Sequence, residues 1–143
     1  MENLYWITWM RKTMPKTAKK PTRSKLVKKL DVIFSQFIRL KYSDKHGMTK
    51  CFTCDKRDHY KSMQCGHFMS RKHYSTRWDE NNVRVQCPSC NVFQYGKQYE
   101  FGLKLGQQLS EEMYIKSKEV IKFTNDELVE KINHYSSEIK RMT

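Results

Sequence analysis

The sequence predicts an α+β domain, and three features carry that expectation. Apolar residues at helical spacing occupy 24–41, short alternating segments fill 48–87, and further helical patterns follow residue 110. Two Cys-x-x-Cys pairs, Cys51/Cys54 and Cys87/Cys90, bracket the alternating part. At 143 residues, the chain is expected to form a single domain with extensions. The expected divisions are an aromatic and basic N-terminal arm (1–23), a zinc-stapled domain (24–109) and a C-terminal helical extension (110–143).

The opening "MENLYWITWM" is apolar and aromatic, but it lacks the basic start and small-residue cleavage site of a secretory signal. Residues 11–29 then carry nine Lys or Arg and no acid, with Pro15 and Pro21 interrupting the first half. This reads as a flexible basic arm, with Lys19, Lys20 and Arg23 placed to contact phosphates. Next, Leu26, Val27, Leu30, Ile33, Phe34, Phe37 and Ile38 recur at i, i+3, i+4 and i+7. Ser24 is the expected N-cap, and Lys25, Lys28, Lys29, Arg39 and Lys41 are expected on the wet face.

"MTKCFTCDK" reads as a short strand running into a metal knuckle. "SMQCGHF" and "NVRVQC" read as half-buried strands joined by a polar, basic loop. A helix is expected after Pro88, which is tolerated in a first turn, although Gly96 and Gly102 weaken it. Phe93, Tyr95, Tyr99, Phe101 and Leu103 are read as core packing in preference to a base-stacking surface. Ser110 is expected to cap "EEMYIKSKEVIKF". "TNDE" at 124–127 is a capping-box signature, followed by Leu128, Ile132, Tyr135 and Ile139 on one helix face.

Composition narrows the function. Lys and Arg total 28 against 15 acids, a net charge of +13, which predicts a polyanionic partner without choosing among DNA, RNA and an anionic membrane. No apolar run approaches the ~18 residues of a membrane-spanning helix. Five cysteines, an odd number arranged as two pairs and one remainder, favour metal ligation over disulfides and place the protein in a reducing, intracellular compartment. Each pair spans one tight turn, so Cys51, Cys54, Cys87 and Cys90 can close a tetrahedral structural Zn²⁺ site. Cys65 has no such partner and reads as a small buried hydrophobe beside it.

At "GHFMSR" and "NVRVQCPSCN" the sequence resembles the phage NinG (Rap) recombination endonucleases, within the zinc-containing branch of the HNH, or His-Me finger, nucleases. The likeness covers roughly residues 24–109. It implies a small ββα-metal core flanked by helices, and cleavage of branched recombination intermediates such as Holliday junctions and D-loops. It further implies DNA as partner in a phage-infected or prophage-carrying bacterial host, with His67, Asn82 and Asn91 as the catalytic residues.

The chemistry can be argued from the residues themselves. Phosphodiester hydrolysis needs a base for water, a cation on the developing charge and help for the leaving oxygen. His67 suits the base because its ordinary pKa is about 6.5, provided that it is not bound to zinc, which four cysteines already saturate. Asn91 offers a neutral oxygen suited to a hard catalytic ion, Mg²⁺ or Mn²⁺. Asn82 has polar atoms to brace the hairpin loop, and the resemblance implies that it sets the tautomer of His67. Gly66 stands where many HNH nucleases carry a second metal ligand; either Asn91 alone holds a weak, water-rich metal site that fills with DNA bound, or a carboxylate, Asp79, Glu80 or Glu100, contributes instead.

Arg71, Lys72, His73 and Arg77 in the loop, with Arg84 on the second strand, are candidate DNA contacts. Each residue also has a plainer reading: His67 as a zinc ligand or structural histidine, Asn91 as a helix cap, Asn82 as a turn residue, the loop cations as a solvated surface. A non-catalytic zinc module that binds nucleic acid, and an HNH nuclease acting on ordinary duplex DNA, are the rival functions. A homodimer is expected on mechanistic grounds, since resolving a junction takes two active sites.

Overall fold

The computed structural model describes residues 19–143; segment 1–10 and the basic run as far as residue 18 lie outside the described residues. The first element is helix α1 (Arg23–Lys41). Thr22, not Ser24, is its N-cap, with Oγ1 accepting from the Lys25 amide at 3.3 Å. Leu26, Val27, Leu30, Phe34, Phe37 and Ile38 are buried along one face, as the spacing requires. Lys25, Lys28, Lys29 and Lys41 are exposed, but Arg39 is half-buried and donates to the Tyr60 carbonyl at 3.0 Å.

Two separate antiparallel hairpins follow. Strands β1 (Met48–Lys50) and β2 (Arg57–His59) pair with Thr49 opposite Asp58, and the first cysteine knuckle forms their loop. Strands β3 (Gln64–His67) and β4 (Val83–Gln86) pair with Cys65 opposite Val85 and His67 opposite Val83. The loop between β3 and β4 carries a single helical turn, α2 (Tyr74–Arg77). The hairpins share no sheet. They meet where the Phe52 amide donates to the Val85 carbonyl at 2.8 Å, next to the cysteines.

After Pro88 the expected continuous helix is replaced by a π-helical turn, Ser89–Phe93, in which the Gln94 amide reaches the Ser89 carbonyl at 2.9 Å. Tyr95, Gly96 and Lys97 then all take left-handed backbone conformations before α3 (Gln98–Leu105) begins. That break overturns the reading of this segment as core. Phe101 is fully buried against Phe52 and Phe68, at 5.1 and 5.8 Å between ring centres, but Phe93, Tyr95, Tyr99 and Leu103 are exposed. A single helix would have repeated its apolar face every turn; the left-handed run resets the direction, so only Phe101 points inward.

Helix α4 (Gln107–Ser117) starts before Ser110, whose hydroxyl donates to the Gly102 carbonyl at 2.9 Å and caps nothing. Helix α5 (Asn125–Met142) begins at the expected capping box, Thr124 with Glu127. The segment read as a C-terminal extension supplies Leu128, Ile132 and Tyr135 to the same core as α1. Tyr135 packs on Phe34 and Phe37 at 5.0 and 4.8 Å. The packing therefore makes one unit of 24–109 and the last helix. Among the described residues, no helix is long and apolar enough to cross a membrane. Leu128 is completely buried in this seam. Leu128→Ala is expected to cost about 3 kcal/mol in urea unfolding monitored by circular dichroism.

Candidate functional site

Cys51, Cys54, Cys87 and Cys90 offer four sulfurs that all lie within 4.8 Å of one another. Both knuckles are shaped by main-chain bonds. The Asp55 amide returns to the Cys51 carbonyl at 3.0 Å, and the Asn91 amide to the Cys87 carbonyl at 3.0 Å. Burial opposes ionisation of Cys51, yet the backbone amides of Cys87, Thr53 and Cys54 and the Thr53 hydroxyl bring its thiol down to about 6. Burial pushes Cys54 up to about 12 and raises Cys90. Four soft sulfur donors gathered this closely fit a structural metal such as zinc. Cys65 stands outside the cluster, half-buried against the core, its thiol pushed up to about 12 by burial. As this arrangement requires, zinc stoichiometry by native mass spectrometry should persist in Cys65→Ser and be lost in Cys87→Ser.

His67 ends β3 in a cleft of ≈ 670 Å³ between α1 and the turn after β4. Its Nε2 lies 2.9 Å from the Arg77 carbonyl, so Nε2 carries the proton and Nδ1 keeps the lone pair. Desolvation lowers the pKa of His67, aided by Arg71 and opposed by the Arg77 carbonyl, so the ring is neutral at pH 7. Asn91 lines the same cleft. Its Nδ2 donates to Gln64 Oε1 at 2.7 Å, which leaves Oδ1 for another partner.

Asn82 is fully buried, and the hydrogen bonds of its side chain go to Met69 and Thr76, not to His67. Its Oδ1 accepts from the Met69 amide at 2.8 Å, and its Nδ2 donates to the Met69 and Thr76 carbonyls, each at 3.0 Å. It thereby holds both ends of the segment leading to Arg77, whose carbonyl orients His67.

Two participants escaped the sequence reading. Asp31 on α1 accepts from Arg77 Nε at 3.1 Å, Arg77 Nη2 at 2.6 Å and Trp78 Nε1 at 3.0 Å. It fixes the loop from the helix side and lines the His67 cleft. A usable signal existed, because Asp31 is the lone acid between residues 11 and 43. Gln64, the partner of Asn91, carried none. The carboxylates considered as substitutes lie elsewhere: Asp79 bonds Lys116 at 2.5 Å, Glu80 bonds Lys41 at 3.1 Å, and Glu100 is exposed on α3.

Gly66 has a steric explanation. A Cβ there would meet Gln86 Oε1 at 2.0 Å. Gln86 is fully buried and ties Thr53 Oγ1 to the Gly96 carbonyl, at 3.0 and 2.9 Å. The glycine makes room for that amide, which bridges the cysteine knuckle and the cleft wall. Gly66→Asp, although it adds a carboxylate, should therefore destabilise the fold by about 2 kcal/mol or more in thermal melts and should not strengthen metal binding.

The cationic candidates divide into free and engaged groups. Lys72, Lys19 and Lys20 are exposed, and Arg71, exposed on the cleft, makes only a long ion pair with Asp31 at 3.9 Å. His73 is half-buried at the N-cap of α2 and caps nothing with its side chain. Arg77 is not available to a phosphate: Asp31 and the Arg71 carbonyl take its donors, and its side chain is 15% exposed. Arg23 is likewise engaged, donating to the Phe123 carbonyl and lying over Tyr74. Arg84 spends Nη1 on the carbonyls of Glu80 and Val83 and packs over Tyr42 and Phe52.

The family model of the bacteriophage lambda NinG protein matches residues 9–143. The chain belongs to the NinG family. This match extends the resemblance past residue 109 to the end of α5, in keeping with the core that α1 and α5 share. No curated protein and no solved structure gives a significant match.

Proposed function

We propose that this NinG-family chain is a metal-dependent DNA endonuclease of the HNH, or His-Me finger, type, acting on branched recombination intermediates. The observation that supports it most is the state of His67. Its Nε2 is committed to a backbone carbonyl, its Nδ1 has no hydrogen-bond partner among the described residues, and it opens on a cleft shared with Asn91. A histidine held in one tautomer, kept neutral by desolvation and separate from the thiol cluster, suits a general base. The β3–β4 hairpin followed by the π turn and α3 is the arrangement read as the ββα-metal core. Branched substrates rest on the family resemblance, since the shape of a junction is not legible in these side chains.

In this reading Nδ1 of His67 takes a proton from water as the hydroxide oxygen bonds to phosphorus. The opposite P–O bond breaks, and its oxygen is protonated by solvent. A hard divalent ion, Mg²⁺ or Mn²⁺, would neutralise charge on the phosphate as that bond breaks. Asn91 Oδ1, left free by the bond of Nδ2 to Gln64, would be its protein ligand. Among the described residues, the one carboxylate on the cleft, Asp31, is occupied by Arg77 and Trp78, so the ion's remaining ligands would be waters and the phosphate itself. Asn82 and Asp31 keep the Arg77 carbonyl in place from two sides, and through it the His67 ring. Arg71 and Lys72 receive flanking phosphates. Cutting both strands of a junction calls for two such clefts, and therefore a homodimer.

The test incubates labelled four-way junctions and linear duplexes with the protein and Mg²⁺ or Mn²⁺. Wild type should cut the junction. His67→Ala should lose about 10³-fold or more in rate while retaining zinc and DNA binding. The pH–rate profile should fall on the acid side with a midpoint below about 6.5, because desolvation favours the neutral ring. A His67→Ala protein that lost its zinc, or a wild type that bound DNA without cutting any substrate, would defeat this reading. The second result would leave a nucleic-acid-binding module.

A further inference from the structure

Phe93, Tyr95 and Tyr99 stand 77%, 89% and 77% exposed, with Val92 and Leu103 also open to solvent. Such a gathering of large apolar side chains marks a binding surface more often than chance. The segment that carries them is firmly held. The Gly96 amide donates to the Cys90 carbonyl at 2.8 Å, the Gly96 carbonyl accepts from buried Gln86, and Phe101 anchors α3 from below. Tyr95 has φ 53° and Lys97 φ 47°, a conformation that residues with a side chain rarely adopt. Tyr99 and Leu103 are one helical turn apart on α3 and share its outer face. Val92 and Tyr95 line the cleft that contains His67 and Asn91, so the segment that carries the rings borders it.

The occupant can be argued from chemistry. Between the rings lie Gln94, Lys97 and Gln98, and no acid occurs from Asn91 to Tyr99. Exposed Arg71 stands on the same cleft and Lys72 beside it, in a chain of net charge +13. Flat apolar rings, amides and cations together suit a ligand with flat rings, hydrogen-bonding edges and negative charge. We propose that Phe93, Tyr95 and Tyr99 form a stacking ledge for unpaired bases of a DNA strand that enters the His67 cleft. The identity of the strand as the cut substrate rests on the nuclease reading. In a duplex the base faces are covered by their neighbours, whereas bases freed at a branch point present them. The ledge thus selects unpaired DNA through ring faces, and the cations hold any DNA through phosphates.

The experiment uses the zinc-loaded full chain in magnesium-free buffer without chelator, so that binding is read without cutting. The probes are a branched DNA with 2-aminopurine in its unpaired segment and a fully paired duplex of equal length. Phe93→Ser/Tyr99→Ser changes two exposed rings outside the cleft lining and should leave the melting temperature and zinc content unaltered. Wild type should quench the 2-aminopurine. The double variant should lose that quenching and about tenfold in affinity per ring for the branched probe, with less than about twofold change on the duplex. Retained quenching, or equal losses on both probes, would overturn the ledge. So would loss of self-association in sedimentation with DNA binding intact, which would assign the surface to a second copy of the chain. The two readings fail separately. Without nuclease activity the probe contrast still appears, and without a ledge wild type still cuts while quenching ignores the rings.

Discussion

Two hairpins that share no strand meet at one point, and the four thiols of Cys51, Cys54, Cys87 and Cys90 occupy it. An isolated two-stranded hairpin is marginal in water, and this molecule has two. A structural metal held there would contribute on the order of 10 kcal/mol of folding free energy, comparable to the whole stability of a small domain. The site also sets geometry. Cys87 and Cys90 follow β4 directly, so closing the cluster places the π turn, the left-handed residues and Asn91 at fixed distances from β3. The buried amide of Gln86 extends that constraint from the Thr53 hydroxyl to the Gly96 carbonyl.

On the other side of β3, α1 supplies the second constraint. Its apolar face packs on the hairpin and on α5, and Asp31 on the same helix binds Arg77 and Trp78. The carbonyl of Arg77 then receives Nε2 of His67. A helix whose first duty is packing thus determines which ring nitrogen of a distant histidine bears the proton. Asn82 reinforces the arrangement from below by satisfying Met69 and Thr76. The cleft is consequently built by long-range contacts between α1, two strands and a turn, none of which contains the site alone.

Much of this was legible in the residues. The period of Leu26 to Ile38 marked α1, Thr124 with Glu127 marked the start of α5, and the two Cys-x-x-Cys pairs marked the thiol cluster. Those signals are local or involve residue types with few other uses. The reading of 93–103 as core went wrong because helical periodicity was carried across Tyr95, Gly96 and Lys97. Only Gly96 announced a left-handed residue there; Tyr95 and Lys97 are held in that conformation by their surroundings. Arg77 and Arg23 looked like free cations because the sequence does not show a partner 46 or 100 residues away.

The residue pattern by itself therefore determined the α+β character and the four cysteines that gather into one cluster, because each follows from spacing along the chain or from residue chemistry. Packing determined the rest: the tautomer of His67, the engagement of Asp31 and Arg77, the steric need for Gly66 and the exposure of the aromatic rings. These depend on which surfaces meet in three dimensions, and side chains that are interchangeable in sequence become distinct once one is covered and another is not.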